Sequence, residues 1–277
     1  MREGCQVITA VLFDFYNTLV DIKTEDWGDD AMRGVAYFLR YRGLHLRRAE
    51  LRERARDALQ RQIDGSSELH FQFNLALMWR NVIEESSPDL VASLGPEGLV
   101  PFSQSLATIQ RSQSRVQFEL VNGAIETLEA LAEHYRLGVV SDGQGAFVRA
   151  ELRELGISRY FDVVVVAGDL GYRKPDPRLF RHAIEQLETD PTGSVYVGTD
   201  PERDARASDA IGMHPVLVGY RSVPEELVGV PVRPVRELSH VPDAVASVVA
   251  RLRTQATHKS VAKPASPQDV VERTSHA

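Results

Sequence analysis

The stretch "VLFDFYNTLV", Val11 to Val20, decides the fold. It starts as an apolar, strand-forming run and then delivers a carboxylate, Asp14, to its end. Asn17-Thr18 supplies turn-forming chemistry before the chain becomes apolar again. Tyr16, two residues past Asp14, is the position that the pattern leaves without an obvious role.

Working outward, the run extends to "ITAVLFDF" (8–15) and has four companions: "YRLGVVS" (135–141), "YFDVVVVAG" (160–168), "GSVYVG" (193–198) and "HPVLVG" (214–219). All are nearly continuous in apolar residues rather than alternating. That pattern belongs to strands covered on both faces, as in a parallel sheet. Between the later runs lie helical segments. In "DPRLFRHAIEQL", Asp176 is placed to cap a helix, Pro177 suits its first position, and Phe180, Ala183, Ile184 and Leu187 share one face. Strands alternating with single helices predict βαβ units and an open α/β sheet.

One gap interrupts this rhythm. From Val20 to Tyr135 no run reads as a strand, whereas 28–42, 47–64, 67–84 and 101–113 read as helices. A stretch of about a hundred residues is too long for a loop, so it is expected to be a helical insertion. Trp27, Phe71, Phe73 and Trp79 sit there; they could line a pocket, but their helical spacing favours core. Beyond Leu252 the chain is polar and aperiodic, and 253–277 is expected to be a disordered tail.

The 277 residues, 43% of them hydrophobic, allow a large core. A formal charge of -7 without a Lys/Arg block argues against nucleic acid as a partner. No segment has the length and apolarity of a membrane span or a signal peptide, so a cytoplasmic setting with a small-molecule substrate is expected. The single cysteine, Cys5, excludes disulfides within the chain and paired-cysteine metal sites. Walker-type, G-x-G-x-x-G and H-E-x-x-H patterns are absent.

Ligands of open α/β sheets bind at the carboxyl ends of the strands. There the first run offers Asp14, the second Ser141 followed by Asp142 and Gly143, the third Lys174 in "GDLGYRKPD", and the fourth Asp200 and Asp204 in "GTDPERD". A carboxylate can attack an electrophilic centre to form a covalent intermediate that water then hydrolyses. Attack on phosphate needs positive charge, from an ammonium such as Lys174 and from a divalent cation held by carboxylates. Asp14 with Asp200 or Asp204 would suit magnesium. Ser141, Thr18 and backbone N–H groups would hold the oxygens of the transferred group.

These segments carry a resemblance. "FDFYNTL" (13–19), "VVSDG" (139–143), "GYRKPDPRLF" (171–180) and "YVGTDPERDARASDAIGM" (196–213) resemble, in order, the four motifs of the haloacid dehalogenase (HAD) superfamily of hydrolases. The resemblance covers residues 8 to 220 or so. It implies a Rossmann-like core, 1–20 and 115–252, with a helical cap, 21–114. It also implies Asp14 as nucleophile, Ser141 and Thr18 as phosphate or oxyanion ligands and Lys174 as the organising cation. Asp142 and Gly143 join them as phosphate-binding positions. The implied magnesium ligands are Asp14, the Tyr16 carbonyl, Asp200 and Asp204.

Two positions depart from the family pattern. Its phosphatases carry a second Asp where Tyr16 stands, as a proton shuttle; its 2-haloacid dehalogenases carry Tyr, because halide leaves without a proton. The usual Gly-Asp after the fourth strand reads Gly198-Thr199, so either Thr199 has replaced the acid or the acid has moved to Asp200. The leading expectation is a magnesium-dependent phosphatase of a small metabolite. The alternatives are a metal-independent dehalogenase-like hydrolase, with Arg33, Arg40 or Arg42 binding substrate, and a non-catalytic binding protein.

Overall fold

A computed structural model describes residues 7–261. The element order begins with β1 (Ala10–Phe13) and β2 (Val20–Thr24), followed by the helices α1 (Asp29–Tyr41), α2 (Arg48–Asp64), α3 (Leu75–Ser86) and α4 (Pro88–Ser114). Next come β3 (Arg115–Leu120), α5 (Ala124–Ala132), β4 (Arg136–Ser141), α6 (Gly145–Glu154), β5 (Val163–Val166), α7 (Ala167–Leu170) and α8 (Pro177–Gln186). The chain continues through β6 (Ser194–Gly198), α9 (Ala207–Asp209), β7 (His214–Val218), β8 (Arg233–Val235) and α10 (Val241–Val261).

Six strands form one sheet in the order β5-β4-β1-β6-β7-β8, and each neighbouring pair is parallel. This is the α/β, Rossmann-like arrangement expected from the apolar runs. β1 is central: Phe13 lies opposite Val139 of β4 and Val197 of β6. The three strands therefore finish within two residues of one another. On one face Ala10, Leu12, Val140 and Tyr196 pack against Phe180 and Ala183 of α8. Asp176 caps that helix by accepting the Arg178 N–H at 2.9 Å. On the other face Val11, Phe13, Val139 and Val197 belong to an apolar cluster that continues into Met32, Trp79 and Leu106 of the inserted helices. Each such side chain, fully buried, contributes about 1.5–3 kcal/mol.

The structure corrects the gap. β2 and β3 pair antiparallel, Val20 opposite Leu120, as a two-stranded ribbon at the root of the helical segment. β2 reads VDIKT, with Asp21 and Lys23 exposed, so it is an alternating strand rather than an apolar run. The helix read over 67–84 begins only at Leu75, where Asn74 caps it by accepting the Leu77 N–H. The fourth helix runs from Pro88 to Ser114 with a kink at Gly95, ahead of Pro96. β8 was not anticipated. α10 extends to Val261, beyond the Leu252 boundary of the expected tail; residues 262–277 of that tail, and Cys5, lie outside the described residues.

Candidate active site

The site is assembled at the carboxyl edge of the sheet. The Asp14 N–H still donates to Val197 of β6, at 2.9 Å, so its carboxylate leaves the strand at a fixed point. The chain then reverses. Asn17 takes a left-handed φ of 60°, a conformation that asparagine tolerates better than most residues, and its N–H donates to the Val20 carbonyl at 2.7 Å. This turn buries Thr18, whose hydroxyl lies 3.5 Å from that of Thr199 at the end of β6.

Lys174 is the electrostatic centre. Its side chain is fully buried and its ammonium lies 2.8 Å from Asp14 Oδ1 and 2.6 Å from Asp204 Oδ1, with the Tyr196 hydroxyl at 3.3 Å. Three donors meet three acceptors. Burial works against this charge, but Asp14 and Asp204 more than offset it and hold Lys174 well above the usual lysine range. Burial pushes the Asp14 carboxyl up to about 7; Lys174 opposes the rise, and Asp204 adds to it. The Lys174 N–H also donates to Asp142 Oδ1 at 2.9 Å. Ser141 is buried, and its oxygen accepts the Gly143 N–H at 3.1 Å.

Two glycines make these approaches possible. A Cβ on Gly198 would lie 2.4 Å from Asp204 Oδ2, so only glycine lets that carboxylate fold back over the strand end. A Cβ on Gly143 would lie 2.9 Å from the Tyr16 ring.

Tyr16 itself is turned into the interior. Its hydroxyl donates to Glu151 Oε2 of α6 at 2.6 Å. Arg111 of α4 donates to Glu151 Oε1 at 2.7 Å and lies over the Tyr16 and Phe147 rings. Burial, with Glu151 adjacent, raises the Tyr16 hydroxyl far above the ordinary phenol range. Beside this cluster a cavity of about 80 Å³ is lined by Trp27, Phe73, Leu75, Gln110, Arg111 and Phe147, among others. Trp79 is core, its indole N–H donating to Gln110 at 2.8 Å. Phe71 pairs with Tyr172 across an isolated bridge next to Lys174.

A family model described as haloacid dehalogenase-like hydrolase matches residues 77–218. The chain belongs to the haloacid dehalogenase-like hydrolases. It is 28% identical, over 76% of its length and 86% of the relative's, to a glyceraldehyde 3-phosphate phosphatase of Methanothermobacter thermautotrophicus. Its fold is similar to a 2-haloacid dehalogenase from Pseudomonas syringae pv. Tomato DC3000, with TM-score 0.65, 23% identity, and coverage of 87% of this chain and 99% of that one. A HAD phosphatase from Thermococcus onnurineus matches with TM-score 0.52 and 22% identity over 86% and 98%.

Within this hydrolase Asp14 and Asp204 of the sequence-predicted magnesium set converge on Lys174, and Asp200 is held in its own turn. Asp204 is already engaged: Oδ1 holds Lys174, and Oδ2 accepts the Thr199 and Asp200 N–H groups at 3.0 and 2.9 Å. Asp200 turns away to cap the turn Pro201–Arg206, accepting the Glu202 and Arg203 N–H groups. Thr199, at the strand end, carries only a hydroxyl. Among the described residues no three His, Cys, Asp or Glu side chains gather as a metal site. Asp14 and the Tyr16 carbonyl alone are a poor cradle for an ion that prefers six oxygens in near-octahedral geometry. The residues present therefore do not fit a carboxylate-held magnesium ion.

Of the arginines named in the inserted segment, two have partners there. Arg33 pairs with Asp30 on its own helix, Arg42 lies over Phe102, and Arg40 is exposed. The buried arginine of the insertion is Arg111. It, Glu151 and Arg203 were missed by sequence reasoning. Arg203 sits inside the quoted segment "GTDPERD", so position was a usable signal for it; Arg111 and Glu151 carry none in their local sequence.

Proposed function

We propose that this protein removes the phosphoryl group from a small phosphorylated metabolite, using Asp14 as the nucleophile. The observation that carries the reading is the buried Asp14–Lys174 ion pair at the end of the central strand. The phosphatase names of relatives aligned over most of the chain support it. An Asp14 oxygen attacks phosphorus as the ester P–O bond breaks, and the leaving alkoxide takes a proton from water. Water then attacks phosphorus in the aspartyl-phosphate, releasing inorganic phosphate and restoring the carboxylate. Lys174 neutralises the nucleophile. Thr18, Ser141 and the backbone of Asp142 and Gly143 receive phosphoryl oxygens. Residues 21–114 are the cap that closes over this edge, and 1–20 with 115–252 the core beneath it.

A second reading, displacement of halide from a 2-haloacid, is favoured by one observation. The Tyr16 hydroxyl is committed to Glu151, which leaves the site without a carboxyl proton shuttle, and halide needs none. Phosphate release from 4-nitrophenyl phosphate, measured beside chloride release from 2-chloropropionate, separates the two. The expected result is phosphate release that falls to background in Asp14→Asn. Chloride release with no phosphate release would replace the first reading with the second.

A further inference from the structure

We infer that Arg203 stands in for a divalent cation in this site, binding the substrate's phosphoryl oxygens together with Lys174, so that turnover needs no added metal. The inference rests on the phosphoryl-transfer reading above and concerns how that site handles charge.

Arg203 lies in the turn that follows β6, one residue before Asp204. Its guanidinium reaches Asp142, which follows β4, with Nη2 3.1 Å from Asp142 Oδ2. In the sheet β1 lies between β4 and β6. A side chain that spans from the β6 turn to the β4 turn crosses the end of β1, where Asp14 emerges.

Arg203 Nε is 3.6 Å from Asp200 Oδ2. Neither this contact nor the one to Asp142 is aligned as a hydrogen bond, and Asp142 Oδ2 is buried without a hydrogen-bond partner among the described residues. The guanidinium is thus anchored by charge while its N–H fork remains free to donate. That fork matches phosphate oxygens bidentately, and it is roughly half exposed.

Asp14, Asp142 and Asp204 surround Lys174, and Arg203 is the second cation set against them, so it lowers the negative charge that an arriving phosphate meets. The residues that could have recruited a metal are occupied or uncharged, as described for Asp204, Asp200 and Thr199. Burial works against the Arg203 charge, and Asp142, Asp200, Asp204 and Asp14 more than offset it.

The test uses the full chain stripped of metal by dialysis against chelator, as wild type, Arg203→Met and Arg203→Lys. Inorganic phosphate is titrated calorimetrically in metal-free buffer. Wild type should bind, Arg203→Met about 10- to 100-fold more weakly, and Arg203→Lys in between, with a cooperative thermal transition showing that each variant is folded. Hydrolysis of 4-nitrophenyl phosphate should run at equal rates in chelator and in magnesium, and kcat/KM should fall about 100-fold in Arg203→Met. Phosphate affinity that is the same in Arg203→Met and wild type would overturn the inference. So would turnover lost in chelator and restored by magnesium. Phosphate bound through Arg203 without hydrolysis of any phosphate ester would sustain the inference while removing the proposed activity.

Discussion

Asp14 pairs with Lys174 yet is held as a weak acid, because burial and the neighbouring Asp204 outweigh the ammonium. For the attack proposed for Asp14 the carboxylate has to be ionised. Its folded value is raised, so the protonated, inactive form persists to higher pH than in an ordinary aspartate. The rate should therefore climb with pH through about 7 and level off above it. A pH profile of kcat/KM checks this; a flat profile between pH 5 and 8, on the order of the window where a free aspartate is fully ionised, would contradict it. At this scale the sequence was informative about placement. Asp14, Ser141 and Lys174 follow apolar runs, and strand ends are where a parallel sheet releases polar groups. The partners of Tyr16 were not legible, because Glu151 lies 135 positions away and Arg111 in a different segment again.

The turn after β6 is the element that distinguishes this site. Gly198 lets the Asp204 carboxylate lie against the strand end, where it takes two backbone N–H groups and the Lys174 ammonium. Gly198→Ala should push Asp204 outward and drag Lys174 from Asp14. Misplacement of this kind costs about 100-fold in turnover, and the expected loss lies in kcat, measured by steady-state kinetics beside a lowered thermal midpoint. Unchanged kcat would mean that Lys174 holds Asp14 without help from Asp204. The β2–β3 ribbon shows the opposite case for legibility. Its strands alternate polar and apolar residues and lie 91 positions apart from Thr24 to Arg115. Neither reads as a buried run, and only pairing between them makes them strands.

At the scale of the molecule, the inserted helices and the sheet are joined by the Arg111–Glu151 pair, both side chains nearly buried. Removing one partner strands the other charge in the interior, at about 3–5 kcal/mol. Arg111→Met and Glu151→Gln should each lower stability by that order, and the double variant by less than their sum, with a coupling of at least about 1 kcal/mol. Urea unfolding of the four proteins reads this directly. Simple additivity would mean that the two side chains do not depend on each other. Tyr16 belongs to the same cluster, so the residue that the local pattern left without an obvious role is tied into the join between insertion and core.

Local pattern was enough for the parallel sheet and for the polar residues at the ends of its strands, since continuous apolar runs and helix caps are properties of short segments. Which carboxylates remain free was decided by the tertiary fold. Asp200 and Asp204 look alike as a pair in the chain, yet one is consumed by its own turn and the other by a lysine 30 residues earlier. Hydrogen-bond partners and electrostatic neighbours are set by proximity in space, and proximity across the sheet edge exists only once β4, β1 and β6 lie side by side.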